Sequence, residues 1–250
     1  MSIAELHGKL SPGDPQGAHD GMEDLLTSDV FGTMLYAGWQ PAFARWLAQA
    51  QFVPGCDPST CIADFLPSDN GADIAYSFWP RLPNNREPDV ALWIVDHSGQ
   101  ASLLVIEAKY HSGLSGERQL IDEAVGVADL TSPQLRKWTF RPSIEANRPL
   151  HRRALIYVTA DSVMPAGDLD TAVGGPNFKW PVSVFWLSWK WLSRHVAGDL
   201  GSVSPNSLLL LRDLSSLMKR KRLVDFTAFS RPPLGPLPSA RFFTRRELLP

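Results

Sequence analysis

The sequence predicts an α/β fold in which a mixed β-sheet is flanked by helices. Short apolar runs of strand length alternate with longer segments whose apolar residues recur near the 3.6-residue helical period. Two of the runs, Val90–Val95 and Ala101–Ile106, are separated by the turn-prone residues His97-Ser98-Gly99. Two such runs joined by a short glycine-containing loop are typical of a β-hairpin. Further apolar runs later in the chain add strands to the same sheet.

These patterns place the elements in chain order. Two helices and one strand precede the hairpin, and helices and strands alternate after it. The predicted elements are a helix from Met22 that Asp20 or Gly21 caps, a helix over 39–51, a strand over 72–79, the hairpin, a helix from Glu117 with Leu120, Ile121, Ala124 and Val125 facing inward, strands over 152–159 and 182–186, a helix over 189–195 and a final helix that Ser204-Pro205 begins.

Composition indicates one medium-sized domain. The chain has 250 residues, 44% of them hydrophobic, and a formal net charge of −2. So small a net charge excludes a protein-wide basic field, and any nucleic-acid surface has to be local. The cysteines, Cys56 and Cys61, are too few for a disulfide framework or a four-cysteine zinc site. We expect a cytoplasmic protein with no membrane partner, because no apolar run is span length and no signal-peptide core is seen.

Changes of composition divide the chain into four segments. Residues 1–20 lack apolar periodicity and are expected to form a loose lead-in. Residues 21–200 carry the predicted domain, and residues 201–230 carry a C-terminal helix packed on it. Residues 231–250 form a tail rich in proline and arginine, of the kind that orders on a partner or drapes over the domain.

The hairpin places charged residues at one end of its strands. Asp89 precedes the first strand, and Glu107 and Lys109 end the second on one face. If Asp96 pairs with Gln100 around a three-residue loop, Asp89 lies opposite Glu107 on that same face. A two-residue loop would put Asp89 on the other face. A site therefore needs an odd-length loop or a bulge, and Gly99 could supply the positive φ angle for either.

Two carboxylates and a lysine at strand ends suit metal-dependent phosphodiester chemistry. Mg²⁺ takes oxygen ligands and keeps several waters, so two carboxylates and a backbone carbonyl are sufficient protein ligands. The alternative is a surface hairpin with a charged rim. Charges at the end of a strand as apolar as Leu103–Ile106 need partners or a metal, which favours the site.

The segments Pro88-Asp89 and Glu107-Ala108-Lys109 resemble the two halves of the motif that defines the PD-(D/E)XK nuclease superfamily. The chain resembles a bacterial branch of that superfamily. The resemblance implies a restriction-endonuclease-like α-β-β-β-α-β core with an added C-terminal helix. It also implies that Asp89, Glu107 and the Ala108 carbonyl bind Mg²⁺, with Mn²⁺ as a substitute. Lys109 would then act on the attacking water.

The same resemblance adds further site residues. The segment from His19 to Gly32 looks like the first helix of this superfamily, which often carries a metal-site glutamate, and Glu23 is favoured over Asp24 for that role. Both acids are otherwise explained by the dipole at a helix N-terminus. His19 would contact the scissile phosphate or remain a solvated loop histidine. Gln119 corresponds to a glutamine placed near the active lysine, with an exposed helical glutamine as the alternative.

Two late features bear on nucleic-acid binding. The basic run Lys219, Arg220, Lys221 and Arg222 ends the last predicted helix and is a candidate phosphate contact, although basic residues favour a helix C-terminus in any case. The tryptophans at 180, 186, 189 and 191 are interpreted as core aromatics rather than as a base-stacking platform.

Together these features predict a Mg²⁺-dependent nuclease that hydrolyses phosphodiester bonds in DNA, in bacterial defence or DNA processing. Two alternatives stay open: a non-catalytic nucleic-acid-binding or scaffold subunit of the same fold, and an RNA endonuclease. Assembly as a homo-oligomer or with a partner subunit also stays open.

Overall fold

A computed structural model of the protein describes most of the predicted domain. The described residues are 20–39, 42–56, 60–67, 73–110, 118–133, 136, 148–167, 169, 179–197 and 203–224. The expectations for His19, for the lead-in before residue 20 and for the tail over 231–250 lie outside them. Within the described residues, no helix is long and apolar enough to cross a membrane.

The elements follow the predicted alternation, which confirms an α/β fold with a mixed sheet flanked by helices. They are α1 (Asp20–Ala37), α2 (Ala42–Leu47), β1 (Gln51–Phe52), a 3-10 turn (Ile62–Asp64), β2 (Asp73–Phe78), β3 (Val90–Val95), β4 (Ala101–Ala108), α3 (Gln119–Ala128), β5 (Leu150–Thr159), β6 (Ser183–Ser188), α4 (Trp189–Ala197) and α5 (Pro205–Arg220).

The sheet has six strands in the order β1-β6-β5-β4-β3-β2. Strands β2, β3 and β4 pair antiparallel, whereas β4, β5 and β6 run parallel to one another. The C-terminal ends of the three parallel strands therefore meet at one edge of the sheet, together with the start of β3. In α/β sheets this edge is the usual place for a site.

The register of the hairpin is the one that a three-residue loop requires. Val90 pairs with Ile106 and Val95 with Ala101. The Asp96 amide donates to the Gln100 carbonyl at 3.0 Å, and Gly99 has a φ angle of +78°. Continuing this register by one residue sets Asp89 opposite Glu107, so the predicted parity is confirmed.

Alternate residues of the central strands face two separate core layers. On β4, Leu104 and Ile106 pack in the layer that contains α1, α2, α4 and α5, and Leu103 and Val105 pack in the layer that contains α3. Parity places Glu107 and Asp89 on the α3 side of the sheet. Asp89 and Glu107 therefore lie between the sheet edge and α3.

The tryptophans belong to the core, as predicted. Trp46 and Trp189 stack with ring centroids 5.4 Å apart, and the Trp46 indole nitrogen donates to the Ser188 carbonyl at 3.0 Å. Trp186 and Trp189 have no exposed surface. These contacts fix α2 and α4 on one face of the sheet, and buried aromatics of this kind contribute strongly to core stability.

Three details of the sequence prediction are wrong. The first helix begins at Asp20, so Asp20 and Gly21 lie within it and do not precede it as caps. The second helix spans Ala42–Leu47 and not 39–51, because Gln51 enters β1 and pairs with Trp186 on β6. Val125 is 39% exposed rather than inward. The face of α3 turned to the sheet is set by other residues, and Val125 lies one position beyond this stripe, on the solvent side. The stripe consists of Leu120, Ala124 and Val127.

Helix α3 approaches the segment before β3 closely, which fixes where it presents its side chains. A Cβ atom at Gly126 would lie 2.6 Å from Asn84 Oδ1 and 2.9 Å from the Cδ1 atom of the buried Leu82. The Asn84 amide also donates to the Asp122 carbonyl at 2.5 Å. A Cβ atom at position 126 would therefore displace the side chains of Asn84 and Leu82.

Gly126→Ala is expected to lower the free energy of unfolding by up to about 2 kcal/mol. Overpacking costs about 1–3 kcal/mol, which outweighs the roughly 1 kcal/mol that alanine gains over glycine within a helix. Urea denaturation measures the change. Val125→Ala on the same helix is the control and should stay within about 0.5 kcal/mol of wild type. A Gly126→Ala protein that is more stable than wild type would show that the side chains of Asn84 and Leu82 move aside without cost.

Candidate active site

The candidate site lies where β3 begins and β4 ends. Asp89 is 6% exposed and Glu107 is 3% exposed. The Ala108 amide donates to Asp89 Oδ2 at 2.7 Å, and the Trp79 amide donates to the Asp89 carbonyl at 2.8 Å. Asp89 is thus held by backbone donors on both sides, and the end of β4 fixes the direction of its carboxylate.

Lys109 joins this sheet edge to the first helix. Its ammonium nitrogen lies 2.7 Å from Glu107 Oε1 and 3.0 Å from Glu23 Oε1. The other oxygen of Glu23 accepts a hydrogen bond from the Tyr110 amide at 2.9 Å. Residues 86 positions apart in the chain are therefore bound together in one partly buried cluster.

Glu23, rather than Asp24, is the acid of α1 that the structure brings to this cluster. The Asp24 carboxylate instead accepts a hydrogen bond from the Trp79 indole nitrogen at 3.2 Å. Successive residues of a helix point in directions about 100° apart, so only one of the two can face Lys109.

Helix α3 supplies a second group of side chains. The amide nitrogen of Gln119 donates to Glu107 Oε1 at 2.5 Å and to Glu123 Oε1 at 2.9 Å. Gln119 is only 7% exposed, so it is not the exposed helical glutamine that the sequence left as an alternative. Glu123 is 2% exposed. Residues four apart share one face of a helix, which is why both reach the sheet edge.

Sequence reasoning missed Glu123, although a signal was present. It follows Gln119 by one helical turn and falls within the buried stripe of Leu120, Ala124 and Val127. An acid on the apolar stripe of a helix is costly to bury without a partner. Such an acid is a candidate functional group.

Burial dominates the electrostatics of the site. It raises the pKa of the Asp89 carboxyl well above its usual range, and the neighbouring Glu107 raises that pKa further. Burial likewise raises the pKa of Glu107, against the opposing effect of Lys109, and it raises the pKa of Glu123, again with Glu107 adding to the shift. Burial alone would lower the pKa of Lys109, but the carboxylates of Glu107 and Glu23 raise it above the usual value.

The donor set of the site fits a hard divalent cation. Four carboxylates face one ammonium, and Glu123 Oε2 is buried without a hydrogen-bond partner in the described part of the chain. Oxygen ligands carrying excess negative charge are what Mg²⁺ requires. Among the described residues, no three His, Cys, Asp or Glu side chains are grouped closely enough to enclose an ion, and the Lys109 ammonium lies between Glu23 and Glu107. Binding an ion therefore needs these side chains to turn toward it.

The basic run at the end of α5 lies beside the same sheet edge. The Tyr110 hydroxyl donates to the Lys221 carbonyl at 2.7 Å, and the Lys221 ammonium is 5.3 Å from the centre of the Tyr110 ring. Lys219, Arg220 and Arg222 are exposed. Of the sequence-predicted residues, Asp89, Glu107, Glu23, Lys109 and Gln119 meet in one cluster. The Ala108 amide binds Asp89 within it, and Lys221 of the basic run contacts the neighbouring Tyr110.

The chain matches no protein-family model, and no curated protein or solved structure is significantly similar to it.

The raised carboxyl pKa values predict that pH controls the stability of the cation-free protein. A carboxyl whose pKa is higher in the folded state binds protons more tightly there, so stability falls as pH rises above the ordinary carboxyl pKa of about 4. The free energy of unfolding in EDTA should therefore decrease between pH 5 and pH 8. Lys109 adds no slope in this window, because its contribution is lost only above its unfolded pKa of about 10.4.

Asp89→Asn should be more stable than wild type at pH 8 in EDTA and should show a flatter pH profile, because asparagine keeps the acceptor for the Ala108 amide without the buried charge. Asp73→Asn, at an exposed position, should follow the wild-type profile. Thermal unfolding of wild type and of both variants, measured in EDTA between pH 5 and pH 8, tests this prediction. An Asp89→Asn protein that is destabilised equally at pH 5 and pH 8 would contradict the conclusion that burial raises the pKa of the Asp89 carboxyl.

Proposed function

We propose that this protein is a metal-dependent nuclease that hydrolyses phosphodiester bonds, with DNA as its substrate. The observation that carries the proposal is the cluster formed by Asp89, Glu107, Lys109 and Glu23. These residues come from three separate stretches of chain and converge at the edge of the mixed sheet where its parallel strands end. A charged rim without function would not need a lysine held between two carboxylates.

The order of elements around the cluster also supports the proposal. Apart from the short α2, β1 and 3-10 turn that lie between α1 and β2, the elements α1, β2, β3, β4, α3 and β5 occur in the α-β-β-β-α-β order that the PD-(D/E)XK resemblance implies. We therefore propose the restriction-endonuclease-like version of the α/β fold. The biological setting that accompanies this proposal is bacterial defence or DNA processing.

Each residue has a distinct part in the proposed hydrolysis. The carboxylates of Asp89, Glu107 and Glu23 and the Ala108 carbonyl would hold Mg²⁺, for which Mn²⁺ could substitute. When bound, the ion polarises the phosphoryl oxygen and lowers the pKa of a bound water. The Lys109 ammonium orients the attacking water and stabilises the negative charge that develops on the phosphoryl oxygens. Gln119 would keep the Glu107 carboxylate oriented.

The basic run favours a polyanionic substrate over a small phosphate ester. The whole chain carries a formal net charge of −2, yet three exposed basic side chains lie at the end of α5, which Lys221 joins to Tyr110 next to the acidic cluster. DNA carries one charge for each phosphate, so contacts on either side of a scissile bond provide most of the binding free energy.

Incubation of the pure protein with plasmid, linear DNA and RNA, each in Mg²⁺, Mn²⁺ or EDTA, tests the function. We expect cleavage of DNA with either metal and none in EDTA. Asp89→Asn and Glu107→Gln should abolish cleavage while the circular dichroism spectrum stays that of wild type. Cleavage of RNA alone would reassign the substrate, and binding without cleavage would indicate the scaffold alternative. Undiminished cleavage by both variants would refute the catalytic assignment.

Lys109→Met should separate chemistry from cation binding. The variant loses the charge that stabilises the transition state, so turnover at saturating DNA should fall by about 10²–10³-fold. Its Mg²⁺ affinity should be no weaker than that of wild type, because no oxygen ligand is removed and the ammonium no longer competes for Glu23 and Glu107. Single-turnover cleavage and calorimetric Mg²⁺ titration measure the two effects. Normal turnover at saturation would rule out the proposed role.

Replacing Lys219, Arg220 and Arg222 with glutamine should do the opposite. DNA binding should weaken, and its salt dependence should flatten by about one unit of slope for each phosphate that the variant no longer neutralises, with turnover at saturation preserved. Lys221 is left in place because its ammonium lies over the Tyr110 ring, 5.3 Å from the ring centre. The control replaces Arg45, Lys179 and Arg212, which are also exposed, and should leave the salt slope unchanged. Equal slopes for all three proteins in filter binding would exclude the run as a phosphate-binding surface.

A further inference from the structure

Trp79, the residue that follows β2, has a backbone conformation that its side chain disfavours. Its φ angle is +46°, in the left-handed region. A bulky side chain at a positive φ angle is energetically unfavourable and persists only where surrounding contacts hold it, whereas glycine adopts such an angle freely. The backbone at position 79 would therefore favour glycine, so the presence of tryptophan indicates that its side chain is needed there.

The left-handed conformation turns the Trp79 ring out of the alternation of the strand. Phe78 ends the β2–β3 ladder opposite Val90, and the Trp79 amide continues it by donating to the Asp89 carbonyl at 2.8 Å. In a regular strand the side chains of Phe78 and Trp79 would point to opposite faces of the sheet. Their ring centroids instead lie 5.7 Å apart, and Phe78 packs against the core layer that contains α1. The Trp79 ring is therefore directed toward that helix.

Through this ring Trp79 joins the start of β3 to the start of α1. Its indole nitrogen donates to Asp24 Oδ1 at 3.2 Å, while its backbone amide binds the Asp89 carbonyl. Asp24 directly follows Glu23, which is the fourth residue of α1. The first turn of a helix lacks some of its backbone hydrogen bonds and frays readily, so a side chain that acts from this turn needs a contact that holds the helix end. The dipole of α1 accounts for an acid at position 24, but it does not account for the strained tryptophan that binds this acid.

We propose that Trp79 is a positioning residue whose indole holds Asp24 and thereby keeps Glu23 directed at Lys109 and at the Tyr110 amide. This rests on the proposed function, because the part that Glu23 takes in hydrolysis belongs to it. Lys109 and Tyr110 hold the Glu23 carboxylate from the end of β4, and Trp79 holds the helix that carries it. Trp79 acts through α1 alone, with Asp24 as the acceptor that it binds.

Hydrogen exchange of the Tyr110 amide, followed by NMR, tests the proposal in the full chain without DNA. That amide donates to Glu23 Oε2, so its exchange rate reports how often Glu23 moves away. Trp79→Phe keeps an aromatic ring but removes the donor. Loss of a hydrogen bond to a charged acceptor changes an equilibrium by about tenfold, so we expect the Tyr110 amide to exchange about tenfold faster. Turnover of saturating DNA should fall by a similar factor, whereas the KM for DNA should stay that of wild type because the basic run is untouched.

Variants of Asp24 separate a positioning role from a general loss of stability. Asp24→Leu removes the acceptor and should reproduce both effects of Trp79→Phe, and the two changes combined should be no worse than either alone. Asp24→Asn keeps an oxygen that accepts from the indole. It should therefore restore the slow exchange of the Tyr110 amide and most of the turnover that Asp24→Leu loses.

Trp180→Phe is the matched control, because Trp180 and Trp79 are both 8% exposed. The Trp180 indole also donates at 3.2 Å, but to the Pro54 carbonyl at the end of the sheet where β6 begins, opposite the site. This control should lower the stability of the protein without changing the exchange of the Tyr110 amide or the turnover.

Wild-type exchange of the Tyr110 amide in Trp79→Phe would overturn the proposal. Equal effects of Asp24→Asn and Asp24→Leu, or effects that add in the combined variant, would have the same consequence. If Trp79→Phe does not fold by circular dichroism, the two Asp24 variants decide the question, because Asp24 is only half-buried and its replacement is better tolerated.

Failure of the proposed function is distinct from these outcomes, because the exchange is measured on the protein alone. A wild-type chain that cleaves no nucleic acid refutes the proposed function and, with it, the part in hydrolysis that Trp79 would support. A chain that cleaves DNA, with Trp79→Phe as active and as well protected at Tyr110 as wild type, leaves the proposed function in place and removes only the positioning role.

Discussion

The Lys109 ammonium, held between Glu107 and Glu23, is the interaction on which the geometry of the site depends. It joins the end of β4 to α1, and the neighbouring Tyr110 amide holds the other oxygen of Glu23. Removing one partner of a buried ion pair costs about 3–5 kcal/mol, because the remaining charge is left uncompensated. The three side chains therefore fix one another, and they do so at a point that apolar packing does not reach.

The rest of the fold supplies the rigidity that this charged cluster needs. Strand β4 is anchored in both core layers as far as Ile106, and its next residue, Glu107, already belongs to the site. Buried like charges oppose folding in the absence of a cation. The fold tolerates these buried charges when packing elsewhere offsets the unfavourable free energy of burying them. In this protein the parallel strands and α3 supply that packing.

The parts of the site that follow local rules could be predicted from the sequence. Strand alternation and the length of the loop before Gln100 place Asp89 opposite Glu107, and Gly99 permits that loop. The phase of α3 could not be fixed in the same way, so the inward placement of Val125 is wrong and Glu123 escapes prediction. Both depend on which face of the helix meets the sheet, and the close approach at Gly126 helps to set that face. The order of strands in the sheet likewise required the structure.

Tyr110 shows why long-range contacts, rather than motifs, decide how the acidic cluster relates to the basic run. Its backbone amide binds Glu23, and its hydroxyl binds the carbonyl of Lys221, which is 111 positions away in the sequence. No periodicity or spacing connects residues so distant. Because one buried residue holds both partners, one through its backbone and one through its side chain, the end of α5 is fixed relative to α1 and β4. Loss of the Tyr110 hydroxyl would therefore release the end of α5, whereas the backbone bond to Glu23 would remain.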